Sequence, residues 1–167
     1  MPDCSAMWIK IGGVLKEEHV EEFAELISEL GLEYDDVLGE DAEQHIREDH
    51  EAGKPLCLYD NERPWGSHDH LEGFCQTVGL SYARGDDGHY SYAASCVLWT
   101  PEIAKEREWT SATDSGEPFL SVTDIDQLVA KGELEAELAL MRQVRDFAVP
   151  FSAPGWPEDA EDADAAA

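Results

Sequence analysis

Glu18, Glu22, Glu25 and Glu29 recur at i, i+4, i+7 and i+11. On a helix, neighbours at that spacing lie roughly 5–6 Å apart on one face. Flexible carboxylates at that interval approximate the phosphates along one nucleic-acid strand, so the chemistry they offer is phosphate mimicry toward a basic surface. Glu21 sits beside this row, and the acidic run continues through Glu33, Asp35, Asp36, Glu40, Asp41, Glu43, Glu48, Asp49 and Glu51. Residues 17–51 hold fifteen acids and one strong base, Arg47, about half of a net charge of −27 over 167 residues. Like charges at i, i+4 each cost a few tenths of a kcal/mol, and a solvated helix face ordinarily mixes signs. The residues expected to meet a partner are therefore Glu18, Glu21, Glu22, Glu25, Glu29, Asp35 and Asp36.

His68-Asp69-His70 is the second candidate. On a strand, residues two apart share a face and can both ligate a metal. After Gly66-Ser67 the segment instead reads as the start of a helix, where the two imidazoles point about 200° apart. The alternative function is thus a small metal-binding or hydrolytic domain built on His68, His70 and nearby acids, with His45, His50 and Cys57 as further donors. Paired carboxylates are too abundant here to mark acid–base catalysis. No G-x-S-x-G, Walker A loop, HExxH or G-x-G-x-x-G is present, and Asp124-Ile125-Asp126 lacks the Gly and the bidentate Glu of an EF-hand loop. No catalytic residue and no cofactor is assigned.

The elements that must position these groups follow from periodicity. Met7, Ile9 and Ile11 alternate with Trp8 and Lys10 as a strand, ended by Gly12-Gly13. Residues 16–30 read as a helix with Val20, Phe23, Ala24, Ile27 and Leu30 as its apolar stripe and Gly31 as its C-cap. Residues 55–59 suit a buried strand and 61–66 a loop. Residues 68–78 suit a helix capped by Ser67 and buried through Leu71, Phe74, Cys75 and Val78. Residues 80–84 and 89–99 read as a hairpin joined by Gly85-Asp86-Asp87-Gly88. Beyond Pro101, residues 105–118 read as irregular, 119–122 as a short strand, and two helices follow, the first capped by Thr123 and interrupted by Gly132, the second over 133–147.

The expected fold is α+β, a small mostly antiparallel sheet of about four strands packed by two helices, plus C-terminal helices and a disordered acidic tail. The expected division is an α+β core over 1–101, carrying the acidic segment 17–51, a helical extension over 102–151, and a tail over 152–167. A hydrophobic share of 43% with fifteen aromatics supports a real core. No apolar run is long enough to span a membrane, and the first residues lack a signal-peptide pattern, so the expected location is cytoplasmic. Cys4, Cys57, Cys75 and Cys96 show no CxxC spacing and read as reduced thiols.

With 38 acids against 11 strong bases, phosphate binding to nucleic acid and attachment to anionic membranes are both disfavoured. A basic protein surface is the natural complement. A salt-rich habitat is a competing explanation, supported by only five lysines; glutamates outnumber aspartates 22 to 16 and the acids cluster, which fits it less well. In general character the chain resembles small acidic accessory proteins of phages and mobile elements, some of which act as DNA mimics against restriction or CRISPR effectors. That resemblance implies a non-enzymatic inhibitor of the anti-CRISPR or anti-restriction type. It would occupy the basic channel of a DNA- or RNA-binding defence or processing protein.

Overall fold

The computed structural model describes residues 4–32, 53–64, 68–89, 92–112 and 116–153. These form β1 (Cys4–Val14), a 3₁₀ turn (Glu17–His19), α1 (Val20–Leu30), β2 (Leu56–Pro64), α2 (Asp69–Val78), β3 (Ser81–Asp86), β4 (Ser95–Trp99), β5 (Arg107–Thr110), α3 (Val122–Lys131), α4 (Leu134–Arg145) and β6 (Phe151–Ser152). The fold is α+β, as the pattern of the sequence predicts. Five strands run in the order β2-β1-β3-β4-β5, every pairing antiparallel, and β6 adds to β1 in parallel through Gly13 and Val14. The sheet thus holds two strands more than the four expected.

Alternation along β1 explains the layers. Met7, Ile9 and Ile11 are buried on one face with Leu56, Leu58, Tyr82 and Trp99, under Val20, Phe23 and Ile27 of α1 and Leu71, Phe74 and Cys75 of α2. Trp8 belongs to the opposite face, where Ala83, Cys96, Leu98 and Trp109 meet Met141 and Val144 of α4 and Phe147. A period of two along the strand sends its two residue sets into two different cores. Phe23 joins three elements, with its ring 5.5 Å from that of Phe74 and 5.6 Å from that of Phe151.

Several expectations change. β2 runs on through Pro64, so residues 61–64 belong to the strand rather than a loop, with Arg63 and Pro64 paired to β1 across a register shift. β4 starts at Ser95, not residue 89; a single bridge, His89 to Tyr92, lies within the longer connection. Arg107–Thr110 is a strand, because Trp109 supplies a buried side chain inside an otherwise polar segment. Residues 119–120 belong to no strand, and α3 is capped by Ser121 rather than Thr123. Ser121 takes part in a capping box with Asp124, which satisfies two orphan donors at once. Position 101 falls between β4 and β5 of one sheet, and Ser152 pairs with β1.

Gly12 shows why the C-terminal segment fits. A Cβ there would come 2.2 Å from the carbonyl oxygen of Val149, next to the Gly13 N–H bond to Pro150 O at 2.8 Å. Gly12→Ala is expected to destabilise the fold by about 1–3 kcal/mol through overpacking against backbone. Equilibrium urea unfolding checks this; a midpoint equal to the parent's would contradict it.

Candidate functional site

The acidic helix begins differently from its sequence pattern. Residues 17–19 form a 3₁₀ turn and α-helix proper starts at Val20, so Glu18 stands outside the helical register of the other glutamates. Glu18 instead lies 4.0 Å from Lys16 Nζ and 3.6 Å from His19 Nε2. Glu21, Glu22, Glu25 and Glu29 are exposed on α1. Glu22, Glu25 and Glu29 fall within about 60° of one another around the axis, at rises of roughly 4.5 and 6 Å, and so form one ridge. Glu21 stands about 40° from Glu25, at the edge of the ridge away from Glu22. Among the described residues, no cation pairs with any of these four. The ridge is rigidly seated: Val20, Phe23 and Ile27 are buried beneath it, and Gly31 closes the helix in a left-handed conformation at φ 60°, its N–H directed to Ile27 O and Ser28 O. Asp35 and Asp36, with the rest of 33–52, lie outside the described residues.

Glu22, Glu25 and Glu29 also border an open cleft of about 430 Å³ between α1 and α2, whose far wall carries His70, Phe74 and Thr77. His19 closes one end, its ring 6.4 Å from that of Phe74. The cleft therefore presents carboxylates on one wall and an apolar-to-polar helix face on the other.

The histidine pair is not brought together. His68 is fully buried at the cap of α2, with Nε2 3.2 Å from Asp60 Oδ2, while His70 is exposed in the first turn of that helix. The physical reason is the helical start itself, which turns residues two apart to opposite sides. Among the described residues, no group of three His, Cys, Asp or Glu side chains is placed to hold a metal.

A buried polar cluster was not visible in the sequence. Glu72 accepts the backbone N–H of His68 at 3.0 Å and sits 2.9 Å from Arg84 Nε. Arg84 Nη1 lies 3.7 Å from Asp86, which in turn accepts from Ser95 Oγ at 2.8 Å and from the Gly88 N–H at 2.9 Å. Beside it, Gln76 Nε2 donates to the Tyr82 hydroxyl at 2.8 Å, and that hydroxyl donates to Glu106. Burial raises the Glu72 carboxyl above its ordinary value, and the Arg84 guanidinium opposes this. The readable signal was Arg84 and Asp86 two apart on one strand, hence on one face, with Glu72 beside the buried position Leu71. Its arrangement suits a structural clamp between α2 and β3.

Comparison with known proteins finds no match among protein-family models, curated proteins or solved structures. No helix among the described residues is long and apolar enough to cross a membrane.

Two outcomes follow from these environments. Arg84→Met leaves Glu72 and Asp86 buried without their cation and is expected to cost about 3–5 kcal/mol, read by chemical denaturation. The thiols of Cys75 and Cys96 are buried, and desolvation pushes Cys96 up to about 12 and Cys75 higher still. A raised thiol is almost wholly protonated at pH 8, about one thiolate in 10⁴ for Cys96, and thiolate is the nucleophile. Iodoacetamide at pH 8 is expected to label both only after unfolding; peptide mapping showing either labelled in the folded chain would contradict this.

Proposed function

We propose that this chain is a non-enzymatic inhibitor that binds the basic nucleic-acid channel of a DNA- or RNA-binding protein, using α1 as a phosphate mimic. The observation that carries the reading is the ridge of Glu22, Glu25 and Glu29, exposed, without a cationic partner among the described residues, and seated on Val20, Phe23 and Ile27. Fixed spacing matters because a mimic must offer its charges in register before it binds. A ridge held by core packing does so with little ordering cost, which a charged coil could not. Glu21 and Glu18 flank the ridge and widen the negative face, and Asp35 and Asp36 extend it in sequence. The phage and mobile-element class that the sequence resembles belongs to the same reading, with restriction or CRISPR effectors as targets.

Binding of this kind is steered by long-range charge. It should be fast at low salt and weaken steeply as salt rises, since the Debye length falls from about 30 Å at 0.01 M to about 10 Å at 0.1 M. The decisive variant is the triple substitution Glu22→Lys, Glu25→Lys, Glu29→Lys, which touches no buried residue. Immobilised parent protein is expected to capture basic nucleic-acid-binding proteins from a host-cell extract, and added duplex DNA should release them. The triple variant should capture none of them while keeping the parent's circular-dichroism melt. Equal capture by the variant, or capture indifferent to DNA, would sink the reading.

A further inference from the structure

The far edge of the sheet offers a second surface, independent of α1. Among the described residues, β5 pairs with β4 on one side and with no strand on the other. The Ser111 N–H donates to Ala94 O at 3.0 Å, whereas Thr110 O accepts from the Phe119 N–H at 3.0 Å. Backbone groups of an antiparallel strand alternate in direction, so those of Arg107, Trp109 and Ser111 face β4 and those of Glu108 and Thr110 face outward. After Phe119 the chain turns away at Ser121 into α3, which leaves the Glu108 N–H and C=O and the Thr110 N–H on an open edge. An open row of this kind is a template for another extended chain.

Glu108 and Thr110 are exposed on this edge. The edge borders a groove of about 680 Å³ between β5 and the α3–α4 pair, with Trp109, Leu120, Leu128 and Leu140 among its walls. The α3 helix, which forms the outer wall, has no buried residue, so the groove is held apart rather than filled.

We propose that the groove receives a short extended segment of another protein, with apolar and basic residues in alternation, as an added strand on β5. The alternation follows from the two sides of the strand. Side chains turned toward α4 meet Trp109, Leu128 and Leu140. The intervening ones lie on the face of Glu108 and Glu106, the face where Glu106 receives the Tyr82 hydroxyl. The charge of the groove points the same way. Glu108, Asp124, Glu133 and Glu137 stand against Arg107 and Lys131, and Arg107 is already bonded to Glu137 at 2.5 Å. A second copy of the chain is a poor occupant: antiparallel pairing centred on Glu108 would set that carboxylate against its twin, between two molecules each carrying −27. Strand addition of this type draws affinity from main-chain bonds and selectivity from alternate side chains.

The test uses the whole chain and a labelled peptide of alternating lysine and valine, followed by fluorescence anisotropy. A glutamate–valine peptide of the same length is the control. Glu108→Pro removes the outward N–H without touching the bonds to β4, a position where an edge strand tolerates proline. It is expected to weaken the lysine–valine peptide about tenfold or more. Leu128→Lys, on the outer wall and away from the core, should weaken it as well, and the glutamate–valine peptide should not bind. The triple lysine variant of α1 should hold the peptide within about twofold of the parent, because the two surfaces are separate. The proposal is overturned if folded Glu108→Pro and Leu128→Lys both bind as the parent does. It is equally overturned if the α1 variant loses the peptide, which assigns binding to general charge attraction. Sedimentation showing a dimer of the parent that Glu108→Pro dissolves would give the edge to a second copy instead.

Discussion

Strand β1 hydrogen-bonds to β2 on one side, to β3 on the other, and to β6 beyond Ile11. With both edges occupied its register cannot slip, and a slip of one residue would exchange every side chain between the two faces. That fixed register sends Met7, Ile9 and Ile11 to the core under α1 and α2 and Trp8 to the core under α4. The position of the glutamate ridge follows from it, because Val20, Phe23 and Ile27 rest on the core that β1 organises, with Phe23 also stacked on Phe74 of α2.

The acidity of α1 opposes helix formation, and magnitudes show why the helix persists. Glu21–Glu25, Glu25–Glu29 and the neighbouring i, i+3 pairs cost together about 1–2 kcal/mol at a few tenths each. Burying Val20, Phe23 and Ile27 stabilises by about 1.5–3 kcal/mol for each side chain. The core therefore sets the helix, and the surface is free to carry a single sign of charge. Elsewhere the balance is struck differently. The strongly buried guanidinium of Arg84 is held between Glu72 and Asp86, where removal of one partner costs more than the cluster contributes.

Periodic elements were legible from the sequence, and the reasons are local. The stripe of α1, its Gly31 cap, the α2 face and the alternation of β1 each express one element's own burial. β5 was not legible because three of its four residues are polar and its strand state depends on Trp109 meeting α4 from some thirty residues away. The N-cap of α3 was misplaced by two residues, since Ser121 and Thr123 are equivalent in sequence and only the Asp124 contact distinguishes them. Of the candidate site, Glu22, Glu25 and Glu29 were readable as one face, whereas the departure of Glu18 into a 3₁₀ turn was not. The cluster around Arg84 joins residues of α2, β3 and β4, and beyond Arg84 and Asp86, two apart on one strand, no spacing rule links them.

The pairing of Gly13 and Val14 with Phe151 and Ser152 joins residues nearly 140 positions apart. During synthesis, β1 and its hairpin-like neighbours emerge long before the segment that packs Phe151 against Phe23. Contacts of such long range slow folding and leave apolar surface waiting. While it waits, the chain is exposed to aggregation, and a high charge of one sign on the earliest helix keeps nascent copies apart. The glutamates proposed to face a partner in the finished protein thereby act, during the roughly 10–30 s in which the rest of the chain is made, as a solubilising leader for its own synthesis.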